Sequence, residues 1–204
     1  MKPLIAVMVC LASALAGCTG SSTPSQPVSS PGSTVPTAAT STTPTEASPS
    51  ASPEQRQLAP GDTTCAEGVR YGINGAGEYR LTGPCAAVSI GADGAEITVS
   101  GAVAALNVNG QHNEVDAGDI TAITIAGDDN DVEGGAVTSV QVQGQSNEVT
   151  ATGIETINVA GDRNEIKGGS RIGVVTVNGN DNEFEAKAID TRNDNGSRNR
   201  FTVG

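Results

Sequence analysis

The chain has 204 residues, a formal net charge of -12 and a pI near 4.3, and this acidic balance argues against binding to nucleic acid or to an anionic membrane surface. It contains no Trp, two Tyr and two Phe, so it lacks the aromatic side chains on which sugars and bases commonly stack. Rossmann, P-loop and GxSxG motifs are also absent from the sequence, which removes three common starting points for an enzyme.

Residues 1–18 are typical of an export signal that ends in a lipid-attachment site. Lys2 precedes an apolar run from Leu4 to Leu15, which is too short for a permanent membrane span. The run leads into the tetrapeptide Leu-Ala-Gly-Cys ending at Cys18. That tetrapeptide resembles a bacterial lipobox, in which the Cys is lipidated and begins the mature chain. We predict lipidation of Cys18 and a lipid anchor at the outer face of the cell membrane; an ordinary secretory signal is the alternative.

Residues 19–61 are rich in Ser, Thr, Pro and Ala and contain almost no large apolar residue. Such a segment cannot offset the entropy lost on ordering, so we predict a disordered tether. O-glycosylation of this tether and an unmodified linker are equally good interpretations. One folded domain is expected to occupy residues 62–204.

Two Cys remain after Cys10 is removed with the signal and Cys18 is lipidated, namely Cys65 and Cys85. An even pair in an oxidising compartment predicts a disulfide. It would tie an N-terminal cap to the first coil of the domain. Closing a loop of about 20 residues contributes on the order of 3 kcal/mol in the chain-entropy model.

The remainder of the chain repeats with a period of 17 residues, once 18. A Gly marks each repeat and an Asn follows it three positions later. The Gly are Gly110, Gly127, Gly144, Gly161, Gly179 and Gly196, and the Asn are Asn113, Asn130, Asn147, Asn164, Asn182 and Asn199. Repeats this short must stack to bury an apolar face, which predicts an all-β, single-stranded parallel β-solenoid (β-helix) of about six coils. We expect right-handed winding.

Apolar residues two positions apart predict strands with one inward face, as at Val140 and Val142. A further inward position in each repeat gives about three short strands per coil, and the columns are expected to begin near Val88. Phe184 and Phe201 replace Val or Ile in the last coils, where their bulk is expected to close the core.

The two marker residues have separate interpretations. We interpret the repeated Gly as a corner residue with positive φ, which only Gly adopts without steric penalty. The stacked Asn side chains are expected to form a structural ladder that bonds backbone groups of adjacent coils and neighbouring Asn side chains. Ala95 holds the equivalent position one coil earlier, so the ladder begins imperfectly, as a terminal coil would.

A column of acidic residues directly follows the Asn positions and ends in a base. Its members are Glu96, Glu114, Asp131, Glu148, Glu165, Glu183 and finally Arg200. Carboxylates stacked about 5 Å apart repel one another, and neighbouring bases or calcium would relieve the repulsion. Asp129, Asp131 and Glu133 begin like a DxDxDG calcium loop, but Val140 stands where the bidentate Glu belongs. We favour a solvated acidic edge over specific calcium binding and expect no resident cofactor.

The lipobox, the Ser/Thr/Pro tether, the paired Cys and the Gly-x-x-Asn-x-Val coils together resemble the actinobacterial exported lipoproteins that carry domain of unknown function 3060. The resemblance covers about residues 62–204. It implies a parallel β-solenoid on a cell-envelope protein, and it supplies no activity and no catalytic residues.

We predict that the protein is a cell-envelope lipoprotein and not an enzyme, and that its acidic solenoid binds an envelope glycan or protein. An envelope polysaccharide-processing enzyme is the alternative, which requires carboxylates that converge in a groove. Tight coils without long loops do not favour such a groove. The mixed outward column, for example Ser89, Gln141 and Thr176, does not form the flat Thr array of an ice-binding solenoid.

Overall fold

The computed structural model describes residues 54–204. The predicted export signal, Cys18 and most of the predicted tether lie outside this range. Within it the regular structure consists of β-strands, and no helix is long and apolar enough to cross a membrane.

Sixteen strands make up the described part of the chain. They are β1 (Gln55–Gln57), β2 (Gly61–Thr64), β3 (Arg70–Ile73), β4 (Gly77–Thr82), β5 (Ala87–Ile90), β6 (Ala95–Ser100), β7 (Val103–Val108), β8 (Glu114–Ala117), β9 (Ile120–Ile125), β10 (Asp131–Val142), β11 (Glu148–Val159), β12 (Glu165–Lys167), β13 (Ile172–Val177), β14 (Glu183–Ala186), β15 (Ile189–Asp194) and β16 (Arg200–Val203).

All strand pairs are parallel, and each strand pairs with its equivalent one coil further along. One ladder runs through β1, β3, β5, β7, β9, β10, β11, β13 and β15, and the other through β2, β4, β6, β8, β10, β11, β12, β14 and β16. The twelve-residue strands β10 and β11 contribute to both ladders. The predicted parallel β-solenoid is therefore confirmed, with about nine coils instead of six.

The additional coils come from the segment predicted as an N-terminal cap. Tyr71 and Ile73 are buried and pair in register with Val88 and Ile90, so β3 is a regular member of the first ladder. These coils lack the Gly and Asn markers, which is why the period did not reveal them. Strand β1 also begins inside the range predicted as tether.

The predicted disulfide between Cys65 and Cys85 is present, with a Cα–Cα distance of 5.2 Å. It links two successive coils, because Cys65 directly follows β2 and Cys85 lies between β4 and β5. The disulfide therefore joins two coils of the solenoid itself, and the prediction that it ties a separate cap to the first coil is wrong.

The core is a set of apolar columns inside the coils. Each coil has two strands instead of the three predicted, because the third inward position, Ile120, belongs to the same strand as Ile123. At the C-terminal end Phe184 is buried and stacks on the half-buried Phe201, with ring centroids 4.8 Å apart. The two rings close the core at that end, as predicted.

The interpretation of the repeated Gly as a positive-φ corner is wrong. None of the six lies in the left-handed region; the residue two positions after each Gly does, for example Ser146 with φ 56°. Gly is needed for space, because a Cβ on Gly144 would lie 1.8 Å from the carbonyl oxygen of Gly127 in the preceding coil. Successive coils thus touch backbone to backbone at this point.

We expect Gly144→Ala to lower the free energy of unfolding by about 1 to 3 kcal/mol, because the backbone must shift to accept the methyl group. Ser146→Gly, two residues away, is the matched variant. It relieves a left-handed side chain but adds entropy to the unfolded chain, so its effect stays below about 1 kcal/mol. Urea unfolding of both variants checks this, and equal losses would contradict the spatial role of Gly144.

Candidate functional site

The Asn side chains form a continuous hydrogen-bonded ladder at one corner of the coils. Asn130 is 2% exposed, and its Nδ2 donates to the carbonyl oxygen of Gly110 (2.9 Å) and to Oδ1 of Asn147 (3.1 Å). Its backbone N donates to the same Oδ1 at 3.0 Å. This pattern recurs at Asn113, Asn147, Asn164 and Asn182. The marker Gly and Asn are therefore one unit, in which the Gly carbonyl accepts a hydrogen bond from the Asn amide, and not two separate features.

The two ends of the ladder differ from its centre. The backbone N of Ala95 donates to Oδ1 of Asn113 at 2.9 Å, so the ladder begins without an Asn in that coil. At the other end Nδ2 of Asn199 donates to the carbonyl oxygen of Gly179 (3.0 Å) and to Oδ1 of Asp194 (2.8 Å). A carboxylate thus takes the place of the next Asn.

The acidic column follows this corner in strict register and is longer than predicted. Each member pairs with the equivalent residue in the next coil. The members are Glu78, Glu96, Glu114, Asp131, Glu148, Glu165, Glu183 and Arg200. Glu78 was missed because Gly77 stands in the Asn position there, so only the strand register with Glu96 identifies it.

A second column lies on the same face of the coils, two residues further along each strand. It consists of Asp62, Arg80, Thr98, Asp116, Glu133, Thr150, Lys167, Glu185 and Thr202. We call the two columns together the acidic face.

Bases pair with acids toward both ends of the acidic face. Arg80 forms an ion pair with Glu78, and Arg200 lies 3.7 Å from Glu183. Nζ of Lys167 lies 2.5 Å from Glu148 and 2.9 Å from Glu165, and these hydrogen bonds raise the pKa of Lys167.

The centre of the acidic face has no such pairing. In the register of the described strands, no Lys or Arg stands on this face between Arg80 and Lys167. The carboxylates left there, which we call the acidic cluster, are Glu96, Glu114, Asp116, Asp131 and Glu133.

Asp131 stands in the last coil of the acidic cluster, between Glu114 and Glu148 of the neighbouring coils. Oδ1 of Asp131 is buried and accepts no hydrogen bond. Burial raises the pKa of Asp131, and the carboxylates of Glu148, Glu133 and Glu114 raise it further. The repulsion predicted from the period therefore acts on Asp131, and a positive charge near it would relieve that repulsion.

The three residues considered for calcium do not form a metal site. Asp129 lies in the left-handed corner with φ 55°, where its carboxylate is 3.8 Å from Nε2 of His112. Asp131 and Glu133 lie on the acidic face. Within residues 54–204 no group of three or more His, Cys, Asp or Glu side chains is arranged to hold a metal ion.

The strands of the first ladder present a face of opposite character. Its two outward columns from β5 to β15 contain no charged residue, and apart from the exposed Val174 their members are small or polar. They are Ser89, Asn107, Thr124, Gln141, Asn158, Thr176 and Asn193, and beside them Ala87, Ala105, Ala122, Ser139, Thr156, Val174 and Thr191. These two columns thus lack the charge that the acidic face carries.

An open groove of about 560 Å³ lies beside the 18-residue coil. Polar side chains converge in it, which is what the alternative of a polysaccharide-processing enzyme requires. Glu155, Arg171 and Asp190 line it. Nε of Arg171 donates to Oδ2 of Asp190 at 2.7 Å, and this bond lowers the pKa of Asp190. Asp190 is therefore held ionised, which is the opposite of what a general acid needs.

Residues 90–138 match the family model described as "Protein of unknown function (DUF3060)". This segment of the chain is therefore similar to that family. No curated protein and no solved structure matches the chain. The DUF3060 match contains the first two Asn of the ladder and the whole acidic cluster, from Glu96 to Glu133.

We expect Asn147→Ala, in the middle of the ladder, to lower the free energy of unfolding by about 1 to 3 kcal/mol, because it leaves buried backbone groups of neighbouring coils without partners. Asn199→Ala should cost less, since only one neighbouring coil is affected. Denaturant melts compare the two variants. Negligible losses in both would show that the ladder contributes nothing to stability.

Stability should respond to pH in opposite ways at two Asp residues. The raised pKa of Asp131 means that its charge destabilises the fold at neutral pH and that this effect disappears as the pH falls through the raised pKa. Asp131→Asn should therefore stabilise the protein at pH 7, with a smaller gain near pH 4.

Asp181 is the matched control. Arg198 lowers its pKa through a hydrogen bond, so its charge stabilises the fold above the unfolded-state pKa and the contribution is lost as the pH falls. Asp181→Asn should destabilise the protein at pH 7, and the loss should shrink as the pH falls below the unfolded-state pKa. Urea unfolding across this range checks both variants, and changes of the same sign at pH 7 would contradict the assignment.

Proposed function

We propose that the protein is an exported cell-envelope lipoprotein whose solenoid is a rigid interaction module, and that its acidic face binds a cationic protein partner. The observation that supports this most is the uneven pairing of the face. Bases pair with acids toward its two ends, whereas the acidic cluster from Glu96 to Glu133 has none. A surface that served only solubility would have no reason to leave its centre unpaired.

The backbone makes this surface rigid. Each carboxylate extends from a strand that is bonded to strands in the coils before and after it, for example β8 between β6 and β10. The carboxylates are spaced by the ladder, at about 4.8 Å between coils, and cannot separate without breaking it. A partner carrying several Lys or Arg gains complementary charge and relieves the repulsion at Asp131, and electrostatic attraction accelerates its association.

An envelope glycan is the less favoured partner for this face. The described surface of the acidic face has no aromatic residue in either column, and a neutral sugar would not compensate its charge. The enzyme alternative rests on the groove at Glu155 and Asp190 alone, where Arg171 already pairs with one of the two carboxylates.

A Lys-rich probe peptide tests the acidic face directly. Glu114→Gln combined with Asp131→Asn and Glu133→Gln should weaken binding of oligolysine about tenfold, since three exposed charge pairs together contribute about 1.5 kcal/mol. The control combines Glu165→Gln, Glu183→Gln and Glu185→Gln, which removes the same charge from the paired end. Fluorescence anisotropy at low and high salt measures both. Equal weakening by the two triple variants would reject the acidic cluster as the binding surface.

The lipid anchor has its own test, because the Leu-Ala-Gly-Cys motif is what supports it and Cys18 lies outside residues 54–204. Cys18→Ala should move the protein from the membrane fraction to the medium. Fractionation followed by immunoblotting measures the change. Membrane retention of the variant would contradict lipidation at this position.

A further inference from the structure

Both terminal coils place an Arg in the same inward column of the core. Arg56 in β1 pairs in register with Tyr71, and Arg192 in β15 pairs with Val175. Every residue between them in this column is apolar and buried: Tyr71, Val88, Leu106, Ile123, Val140, Ile157 and Val175. The positive charges therefore stand where the sequence pattern of all seven intervening coils demands an apolar side chain.

The C-terminal Arg covers the end of the core. The guanidinium of Arg192 lies over the ring of Phe201, 4.5 Å from its centroid, and that ring in turn stacks on Phe184. Cation–π contact holds an Arg in such a position without a carboxylate partner.

Asp194 interrupts the neighbouring inward column, where it follows the buried Val177. Its Oδ1 accepts hydrogen bonds from Nδ2 of Asn199 (2.8 Å) and from the backbone N of Gly196 (3.1 Å). In the last coil, charged residues thus occupy two positions that are apolar in the other coils, and one of them, Asp194, also takes the place of the next Asn of the ladder.

Without such charges, the end strands of a parallel solenoid can pair with the end strands of a second molecule. Among the strands of residues 54–204, β15 and β16 have a paired neighbour on one side only, and so do β1 and β2. The first coil of a second copy would continue both ladders if it stacked on the last coil of the first copy. Contacts of this head-to-tail kind do not close and generate filaments.

Most of the two end surfaces would fit together in that arrangement. Phe201 would be followed by Gly61, which leaves room for the ring, and the exposed Val203 would be followed by Thr63. Two inward columns would not fit. Asp194 interrupts one of them, and in the other Arg192 would be followed by Arg56 of the next copy at about 4.8 Å. Two like charges would then be buried in an apolar column, which is strongly unfavourable.

We propose that Arg56 and Arg192 are end blocks that prevent the solenoid from stacking head to tail on a second copy of itself. The interaction surfaces are the two ends, and the partner that they exclude is another molecule of this chain. Neither residue lies on the acidic face or takes part in its ion pairs.

The test is the oligomeric state of the full chain purified in detergent, measured by sedimentation velocity over a range of concentrations. Arg56→Val combined with Arg192→Val should raise the weight-average mass to about twice that of the monomer or more, with rod lengthening seen by electron microscopy. The control, Arg70→Val with Arg171→Val, removes the same charge from the sides and should stay monomeric. A folded but monomeric end variant, or equal association of the control, would overturn the proposal.

A second variant needs no apolar substitution. Arg56→Glu places opposite charges in the two end positions, so it should associate at low salt and dissociate at high salt. Circular dichroism verifies that the variant is folded. Absence of any salt-dependent association in a folded Arg56→Glu variant would also overturn the proposal.

Discussion

The hydrogen bond from each Asn side chain to a backbone carbonyl of an earlier coil, which belongs to a Gly for all except Asn113, is the interaction on which the solenoid depends. A buried primary amide loses its hydration and must find partners for two N–H donors and one oxygen. The ladder supplies all of them, since Asn147 donates to Gly127 and Asn164 and accepts from Asn130. The same geometry forbids a Cβ on the carbonyl-bearing residue, so one contact explains both recurring residues.

The ladder also determines what the surface can do. Because the coils are held at a fixed spacing, the residue after each Asn is placed directly above its equivalent in the preceding coil. A column of acids on such a frame cannot relax by moving its backbone, and the repulsion must be met by a base or by a partner. Lys167 meets it at Glu148 and Glu165. Asp131 is left with a raised pKa and an unpartnered oxygen.

The 17-residue period was the strongest signal in the sequence. It was sufficient to predict the solenoid architecture, the acidic column and the closing of the core by Phe184 and Phe201. The period did not predict the number of coils correctly. Gly77 and Ala95 hold the Asn position in the early coils, and alternating apolar residues alone do not establish a 17-residue period. The role of Gly was misread for a related reason. A recurring Gly shows that a side chain is not tolerated, but only the backbone of the neighbouring coil shows whether φ or space forbids it. The uneven pairing of the acidic face depends on side-chain reach across coils, as for Lys167, and spacing does not specify it.

A stack of similar coils has no inherent point at which to stop, because every coil is stabilised mainly by its two neighbours. The terminal coils have one neighbour each, so they need stabilisation of another kind. At the N-terminal end the Cys65–Cys85 disulfide ties the first coil to the second. At the C-terminal end the stacked Phe rings and Arg192 shield the core, and Asp194 satisfies the last Asn amide. The repeat pattern is thus interrupted at the ends. The charged residues that interrupt it prevent a coil of a second molecule from stacking there, as it would on a regular coil.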